Sequence, residues 1–138
     1  LSGKTFVDTN VLVYVHDEDE PEKRERAQAL LRELVDRIVL SPQVLSEFYV
    51  AVRRLETPVP AEVAAKLVDS YSRFPMVNLD PQLVRTAIAI SRESGISYWD
   101  GLIMAAAQSA GCECLLSEDL SHGQSFGPVT VENPFREG

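Results

Sequence analysis

Lys4-Thr5-Phe6-Val7-Asp8-Thr9-Asn10, continuing without a break into Val11-Leu12-Val13-Tyr14-Val15, is the stretch on which the fold turns. Thr5, Phe6 and Val7 are β-branched or aromatic and favour a strand. That run stops at a carboxylate, and an apolar segment resumes directly. A strand over 4–7 followed by a short buried helix over about 10–15 is a strand-to-helix junction of an open α/β sheet, the place where such sheets bind ligands. Asp8 is therefore poised for chemistry or for a metal. It is equally suited to capping the helix, because Asp and Asn are preferred caps.

Outward from this junction the chain alternates strands with helices. Asp17–Glu20 reads as a solvated loop, with acids and Pro21 where a helix N-terminus accommodates them. The next helix carries Ala27, Leu30, Leu31, Leu34 and Val35 on one face at helical spacing. Ile38-Val39-Leu40 is a continuous apolar run, as a strand buried on both faces requires. Ser41-Pro42 supplies a cap and a first-turn proline for a helix to about Leu55. Val44, Phe48, Val52 and Leu55 share one face of it, and Glu47 lies at that face's margin.

Thr57-Pro58-Val59-Pro60 breaks the chain, and a further amphipathic helix carries Val63, Leu67, Val68 and Tyr71. Met76-Val77-Asn78-Leu79 reads as a third strand. Asp80-Pro81 opens a helix with Leu83, Val84, Ala87, Ile88 and Ile90 that stops at Gly95. Ser97-Tyr98-Trp99-Asp100 opens another, containing Leu102, Ile103, Ala106 and Ala110 and ending at Gly111. Glu113–Leu116 is a fourth strand with Ser117-Glu118-Asp119 just beyond it, and Val129–Glu132 is a fifth. Such alternation predicts a parallel sheet covered by helices on both faces. With no repeat, linker or low-complexity segment, residues 1–138 read as one α/β domain.

Composition narrows the function classes. The 138 residues suffice for a sizeable core, and 45% hydrophobic with 25% charged residues is ordinary for a globular chain. No apolar run approaches the roughly 20 residues of a membrane span. The apolar start is cut off by His16-Asp17-Glu18-Asp19-Glu20, so no signal peptide is expected. Cys112 and Cys114 would point to opposite faces of a strand, which disfavours a disulfide, and they lack partners for zinc. Buried free thiols and a reducing, cytoplasmic setting follow. The net charge of −8 argues against nucleic acid, whose phosphates are met by Lys and Arg. That objection weakens where carboxylates converge on divalent cations, which invert the local field.

Nucleophilic catalysis finds little support: Gly-x-Ser-x-Gly is absent, and neither cysteine has an evident activating base. Phosphate-cradling and dinucleotide-binding glycine motifs are missing too. His16 and His122 lie far apart in polar stretches that read as exposed. What remains is acid. Asp8 and Asp119 each follow a predicted parallel strand, Asp100 is in a first helical turn, and Glu47 is in a helix that starts from a strand's carboxyl end. Parallel strands bring all these connections to one side of the sheet. Like charges held close raise one another's pKa unless a cation joins them, and hard oxygen ligands suit Mg²⁺ or Mn²⁺. Such ions activate water and neutralise a phosphodiester. Each acid also has a plainer reading. Asp100 completes a Ser-x-x-Asp capping pattern, Glu47 can be a solvated helix residue, and Asp119 can be a turn residue with Glu118 an equally acidic neighbour.

At these residues the sequence resembles a known family. Val7-Asp8-Thr9-Asn10-Val11-Leu12 is similar to the opening motif of PIN-domain ribonucleases, and the length suits the VapC toxins of type II toxin–antitoxin systems. Glu47 within Ser41-Pro42-Gln43-Val44-Leu45-Ser46-Glu47-Phe48, then Tyr98-Trp99-Asp100-Gly101-Leu102-Ile103, then Leu115-Leu116-Ser117-Glu118-Asp119-Leu120-Ser121-His122-Gly123 follow in the family's order. The likeness runs from Phe6 to about Val131. It implies a three-layer α/β/α sandwich around a central parallel sheet, and Mg²⁺- or Mn²⁺-dependent endoribonuclease activity. Carried over residue by residue, it implies a catalytic and metal-binding quartet of Asp8, Glu47, Asp100 and Asp119. Asn10 and Ser117 match the supporting polar positions; Ser117 keeps the hydroxyl of the Thr that many members have there. The resemblance further implies an RNA substrate, a homodimer and a VapB-like antitoxin, an arginine of which can neutralise the acidic site.

Two other classes compete. A non-catalytic PIN-like module would bind RNA or protein without cutting, but four converging carboxylates give a polyanion binder no advantage without metal. A phosphoryl-transfer domain would use Asp8 as a nucleophile. Val7-Asp8-Thr9-Asn10 lacks the second acid that haloacid-dehalogenase phosphatases place two residues on, and it lacks the acidic pair of response-regulator receivers.

Overall fold

A computed structural model describes residues 3–136, so the ends of the 1–138 span assigned to one domain lie outside the described residues. The opening stretch forms β1 (Thr5–Val7) and α1 (Thr9–Tyr14), joined by the single residue Asp8. Then come α2 (Pro21–Leu34), β2 (Ile38–Val39), α3 (Pro42–Arg53), α4 (Ala61–Tyr71), α5 (Pro81–Ser94) and α6 (Tyr98–Ser109). The chain closes with β3 (Cys114–Leu116), β4 (Ser125–Phe126) and β5 (Val129–Glu132).

The strands form one sheet in the order β2-β1-β3-β5-β4. All neighbours are parallel except β4 and β5. Every residue of β1 and β3 is buried, which is why both read as unbroken apolar runs. Helices cover the sheet in an α/β/α arrangement, and the side chains of Phe6, Leu12, Phe48, Ile103, Met104 and Leu115 are buried in its core. Each such side chain contributes about 1.5–3 kcal/mol by leaving water.

Register places the site. Val7 pairs with Leu116, so Asp8 and Ser117 emerge side by side where the two central strands end. The Asp8 N–H donates to the Leu116 carbonyl at 3.0 Å, which carries the ladder one residue past the strand. Because α6 feeds β3 it runs back against the strands, and its first turn, with Asp100, lies at the same carboxyl edge. α6 is buried from Gly101 to Ala107 and packs closely on α5. A Cβ on Gly101 would come within 2.7 Å of the Ala87 carbonyl, so this crossing needs glycine.

Several details differ from the reading of the sequence. Met76–Leu79 is not a strand: only Met76 bridges to Leu40, in parallel, and Leu79 faces solvent. The run has one residue's worth of partner at the sheet edge before Asp80 caps α5. The sheet also has a strand the sequence did not suggest. β4 pairs antiparallel with β5 across Gly127, whose φ of 60° supplies the left-handed corner of a tight hairpin. Val35, Val63 and Ile88, counted to apolar helix faces, are exposed. Asp17 is buried instead of solvated, and its Oδ1 accepts from the Asp19 N–H at 3.1 Å. Both cysteines are free and buried, as expected, and burial pushes the Cys112 thiol up to about 11 and the Cys114 thiol to about 12. Among the described residues no helix is long and apolar enough to cross a membrane.

Candidate active site

Asp8 is 4% exposed, and its two oxygens are divided between two tasks. Oδ1 accepts from the Thr9 N–H at 2.8 Å, so Asp8 is itself the N-cap of α1. Asp8 thus takes the capping role weighed for it in the sequence, and does so with one of its two acceptor atoms. Oδ2 accepts from the Ser117 hydroxyl at 2.8 Å, with the Asn10 side-chain amide 3.5 Å away. Burial is the largest influence on this carboxyl. It overrides the Ser117 and Thr9 hydrogen bonds and, with the charges of Asp119 and Glu47, raises the pKa to about 7.

Asn10 and Ser117 tie Asp119 to this floor. The Asn10 amide donates to Asp119 Oδ2 at 3.1 Å, while its Oδ1 accepts the Glu118 N–H at 3.1 Å. Ser117 Oγ accepts the Asp119 N–H, also at 3.1 Å. Each of the two residues thus holds Asp8 with one bond and the 117–119 turn with another. Ser117 is fully buried and Asp119 is exposed, so the acid reaches solvent from a fixed base.

Glu47 and Asp100 come from helices. Glu47, exposed on α3, accepts from the Thr9 hydroxyl at 2.7 Å and from Gln43 Nε2 at 3.2 Å. Asp100 is half-buried, and its N–H donates to the capping Ser97 Oγ at 3.1 Å. Burial first, then the charges of Asp119 and Glu47, raise the Asp100 carboxyl against the opposing Ser97 hydroxyl. Asp8 and Asp100 thus each feel the charges of Asp119 and Glu47, and Thr9, Asn10 and Ser117 link Asp8, Glu47 and Asp119 by hydrogen bonds. Among the described residues, no three acidic, His or Cys side chains stand at distances that would hold one ion.

Glu118, the rival acid in the same turn, points elsewhere. Lys23 Nζ meets its Oε2 at 2.7 Å and the Tyr14 hydroxyl donates to its Oε1 at 2.6 Å. Its partial burial would raise the carboxyl, yet these two bonds hold it below the ordinary range. His16 is not exposed as its polar surroundings suggested. Its ring packs edge-on against Phe48 and Tyr71, and Nε2 lies 2.8 Å from the Tyr71 hydroxyl. His122 bonds the Asn133 N–H and Arg136. Among the arginines, Arg53 donates to the Val59 carbonyl, Arg73 to Asp69 and Arg85 to Gln82, whereas Arg54 lines a surface groove with Glu47. Thr9 and Gln43 are the site residues that the sequence reading passed over. The available signals were adjacency to Asp8 and a spacing of one helical turn before Glu47.

All donors in the cluster are hard oxygens, and a buried carboxyl held near neutrality by burial and like charge is one that a cation would relieve. The set fits Mg²⁺ or Mn²⁺ in chemistry. The sequence pattern of the PIN domain matches residues 5–123. No curated protein matches the chain. Among solved structures, a toxin–antitoxin complex from Klebsiella pneumoniae matches with a TM-score of 0.72 at 19% identity, over 97% of this chain and 100% of that one. DNA-bound VapBC from Salmonella typhimurium gives 0.67 at 17%, covering 96% and 98%. Mycobacterium tuberculosis VapC20, a sarcin-ricin loop cleaving toxin, gives 0.66 at 17%, covering 84% and 90%. At such identities the likeness speaks for the fold.

Proposed function

Because this chain belongs to the PIN-domain family, we propose that it is a Mg²⁺- or Mn²⁺-dependent endoribonuclease, residues 1–138 forming one PIN unit, and the toxin of a type II toxin–antitoxin pair. The observation that carries the proposal is the convergence on Asp8. A carboxyl buried at the end of the central strand is raised to about 7 by burial and by the charges of Asp119 and Glu47, and a bound cation would relieve both. Asp8, Asp119, Asp100 and Glu47 are the proposed ligands. The ion would supply Lewis-acid neutralisation of the scissile phosphodiester and activation of water.

The chain's own residues divide the remaining work. Ser117 and Asn10 fix the direction of Asp8 and Asp119, as supporting bonds to ligands do. Thr9 and Gln43 aim Glu47, whose exposed position suits it to orient the attacking water or to close on the ion. Glu47 and Asp100 stand on helix surfaces, where a change of rotamer brings a carboxylate inward. A VapB-like antitoxin is part of the same proposal, supported by the toxin–antitoxin complexes among the structural relatives, and a homodimeric state is proposed with it. So is a cytoplasmic setting, which suits free buried thiols.

Calorimetry with Mn²⁺ tests the proposal against the non-catalytic reading. Wild type should take up metal and cut single-stranded RNA, and Asp8→Asn should do neither. Absence of metal uptake by the wild type would favour a binding module; full activity in Asp8→Asn would remove Asp8 from the centre. Beryllofluoride should form no stable adduct, because Asp8 is not a phosphoryl acceptor here.

A further inference from the structure

Beside the acids lies a surface that the quartet does not use. The first turn of α3, the 77–79 segment, α5 and α6 enclose a groove of about 520 Å³ lined chiefly by Pro42, Val77, Leu79, Leu83, Trp99 and Leu102, with Glu47 at its rim. Its volume falls in the range of about 300–1,000 Å³ common for small-molecule sites. Trp99 is 61% exposed and Leu79 58%, so the largest apolar side chain of the α6 cap faces open solvent. Tyr98 meets the Trp99 ring edge-on at 5.1 Å.

We propose that Trp99 is a substrate-binding residue on which one unpaired base of the RNA stacks, next to the scissile phosphate. This rests on the nuclease reading above and adds to it how a chain of this charge holds RNA.

Continuity is the first support. Gln43 Nε2 donates both to Glu47 Oε2 at 3.2 Å and to the Trp99 carbonyl at 3.3 Å, and Trp99 directly precedes Asp100. One amide thus joins the groove to Glu47 and to the residue preceding Asp100, and a base against Trp99 carries its own phosphate toward both acids. Charge is the second. With a net charge of −8 the chain as a whole repels phosphates, which favours a contact that needs no cation. Arg54, in the next groove along α3 with Glu47, suits a phosphate further along the strand. Stacking on an aromatic ring works for any base and needs no cation. A paired base is already stacked in its helix, whereas an unpaired one is free to splay onto Trp99.

The chain has one tryptophan, so its emission reports this groove alone. A short single-stranded RNA titrated in Ca²⁺ should quench the wild-type emission saturably, and the same RNA annealed to its complement should not. Trp99→Ala should lower affinity for fluorescently labelled RNA on the order of tenfold to a hundredfold. Trp99→Phe should restore most of it, and both variants should keep wild-type Mn²⁺ uptake and far-ultraviolet dichroism. Wild-type cleavage without quenching, with Trp99→Ala equally active, would overturn the stacking proposal and leave the nuclease reading standing. A wild type that neither binds Mn²⁺ nor cuts RNA would overturn that reading itself. A lighter sedimenting species in Trp99→Ala with unchanged RNA affinity would overturn the proposal by making the groove a contact between copies. Unchanged RNA affinity together with lost capture of an antitoxin peptide would overturn it in favour of a protein occupant.

Discussion

Asp8 and Glu47 carry the same charge in one cluster, but the fold treats them differently. Asp8 is buried at the end of β1 with both oxygens engaged by donors from strand ends and a helix start. Glu47 is exposed on the side of α3 and is held by two flexible side chains, Thr9 and Gln43. Asn10, Ser117 and Asp119 belong with Asp8, since register between β1 and β3 sets where they emerge. Asp100 belongs with Glu47, on the first turn of a helix. The site thus has a floor preset by the sheet and a rim set by helices, and substitutions in the two parts should fail differently.

The largest effect should come from the floor. Asp8→Asn should lower Mn²⁺-dependent RNA cleavage on the order of a thousandfold, as loss of a central ligand removes several kcal/mol of transition-state stabilisation. The same variant should make the metal-free protein more stable at pH 8. With its folded pKa of about 7 above the ordinary 3.8, Asp8 keeps a proton in the native state that the unfolded chain has released. Wild-type stability without metal should therefore fall as pH rises from about 4 to 7 and level off beyond, a change of at most about 4 kcal/mol. Denaturant titrations at pH 4, pH 5 and pH 8 check the sign: the gap between the two proteins should narrow from pH 8 to pH 5 and close only near pH 4 and below, and a wild type more stable than Asp8→Asn at pH 8 would break the contrast.

Ser117→Ala comes next. Removing its hydroxyl frees Asp8 Oδ2 and the Asp119 N–H together, and metal affinity should weaken on the order of tenfold to a hundredfold. Glu47→Gln, at the rim, should change Mn²⁺ affinity by less than Ser117→Ala while lowering kcat. Equal losses of affinity in the two variants would erase the distinction between floor and rim. Proton linkage sharpens it further. Since metal must displace a proton from Asp8 below about pH 7, apparent affinity should drop toward tenfold per unit on acidification, with proton release seen by calorimetry in buffers of different ionisation enthalpy.

The floor was the more legible part in sequence because it obeys one-dimensional rules. A β-rich run ending in Asp8, and another ending in Ser117 and Asp119, fix their neighbours once the strands are taken as parallel. What pairing alone decides stayed hidden. Met76–Leu79 has strand composition but only one partner residue at the edge, whereas Ser125–Phe126 has little strand character and is recruited by β5 through the Gly127 turn. His16 lies in a polar stretch of sequence, yet Phe48 and Tyr71, from α3 and α4, close over it. Asp8 read as either cap or ligand because sequence names a residue and not its two oxygens; the cap uses Oδ1 alone and leaves Oδ2 for the proposed role.

The smallest predicted effect concerns Glu118, which adjacency in sequence left indistinguishable from Asp119. Successive residues of the 117–119 turn point to opposite sides. Asp119 is drawn to Asn10 over the floor, and Glu118 to Lys23 and Tyr14, where Lys23 Nζ also lies 4.8 Å above the Tyr14 ring. Both ends of that ion pair keep about a third of their side-chain surface in water, so solvent screening limits the pair to roughly 0–1 kcal/mol. Glu118→Gln keeps the volume and one acceptor for the Tyr14 hydroxyl while removing the charge. It should lower stability by less than about 1 kcal/mol, leave Mn²⁺ affinity within a few-fold, and lose its small effect at high salt. Asp119→Asn, one residue on, should instead weaken metal binding with little change in stability. A salt-independent loss of metal affinity in Glu118→Gln as large as that of Asp119→Asn would show that the turn delivers both acids to the ion, and that the floor extends to the Lys23 side.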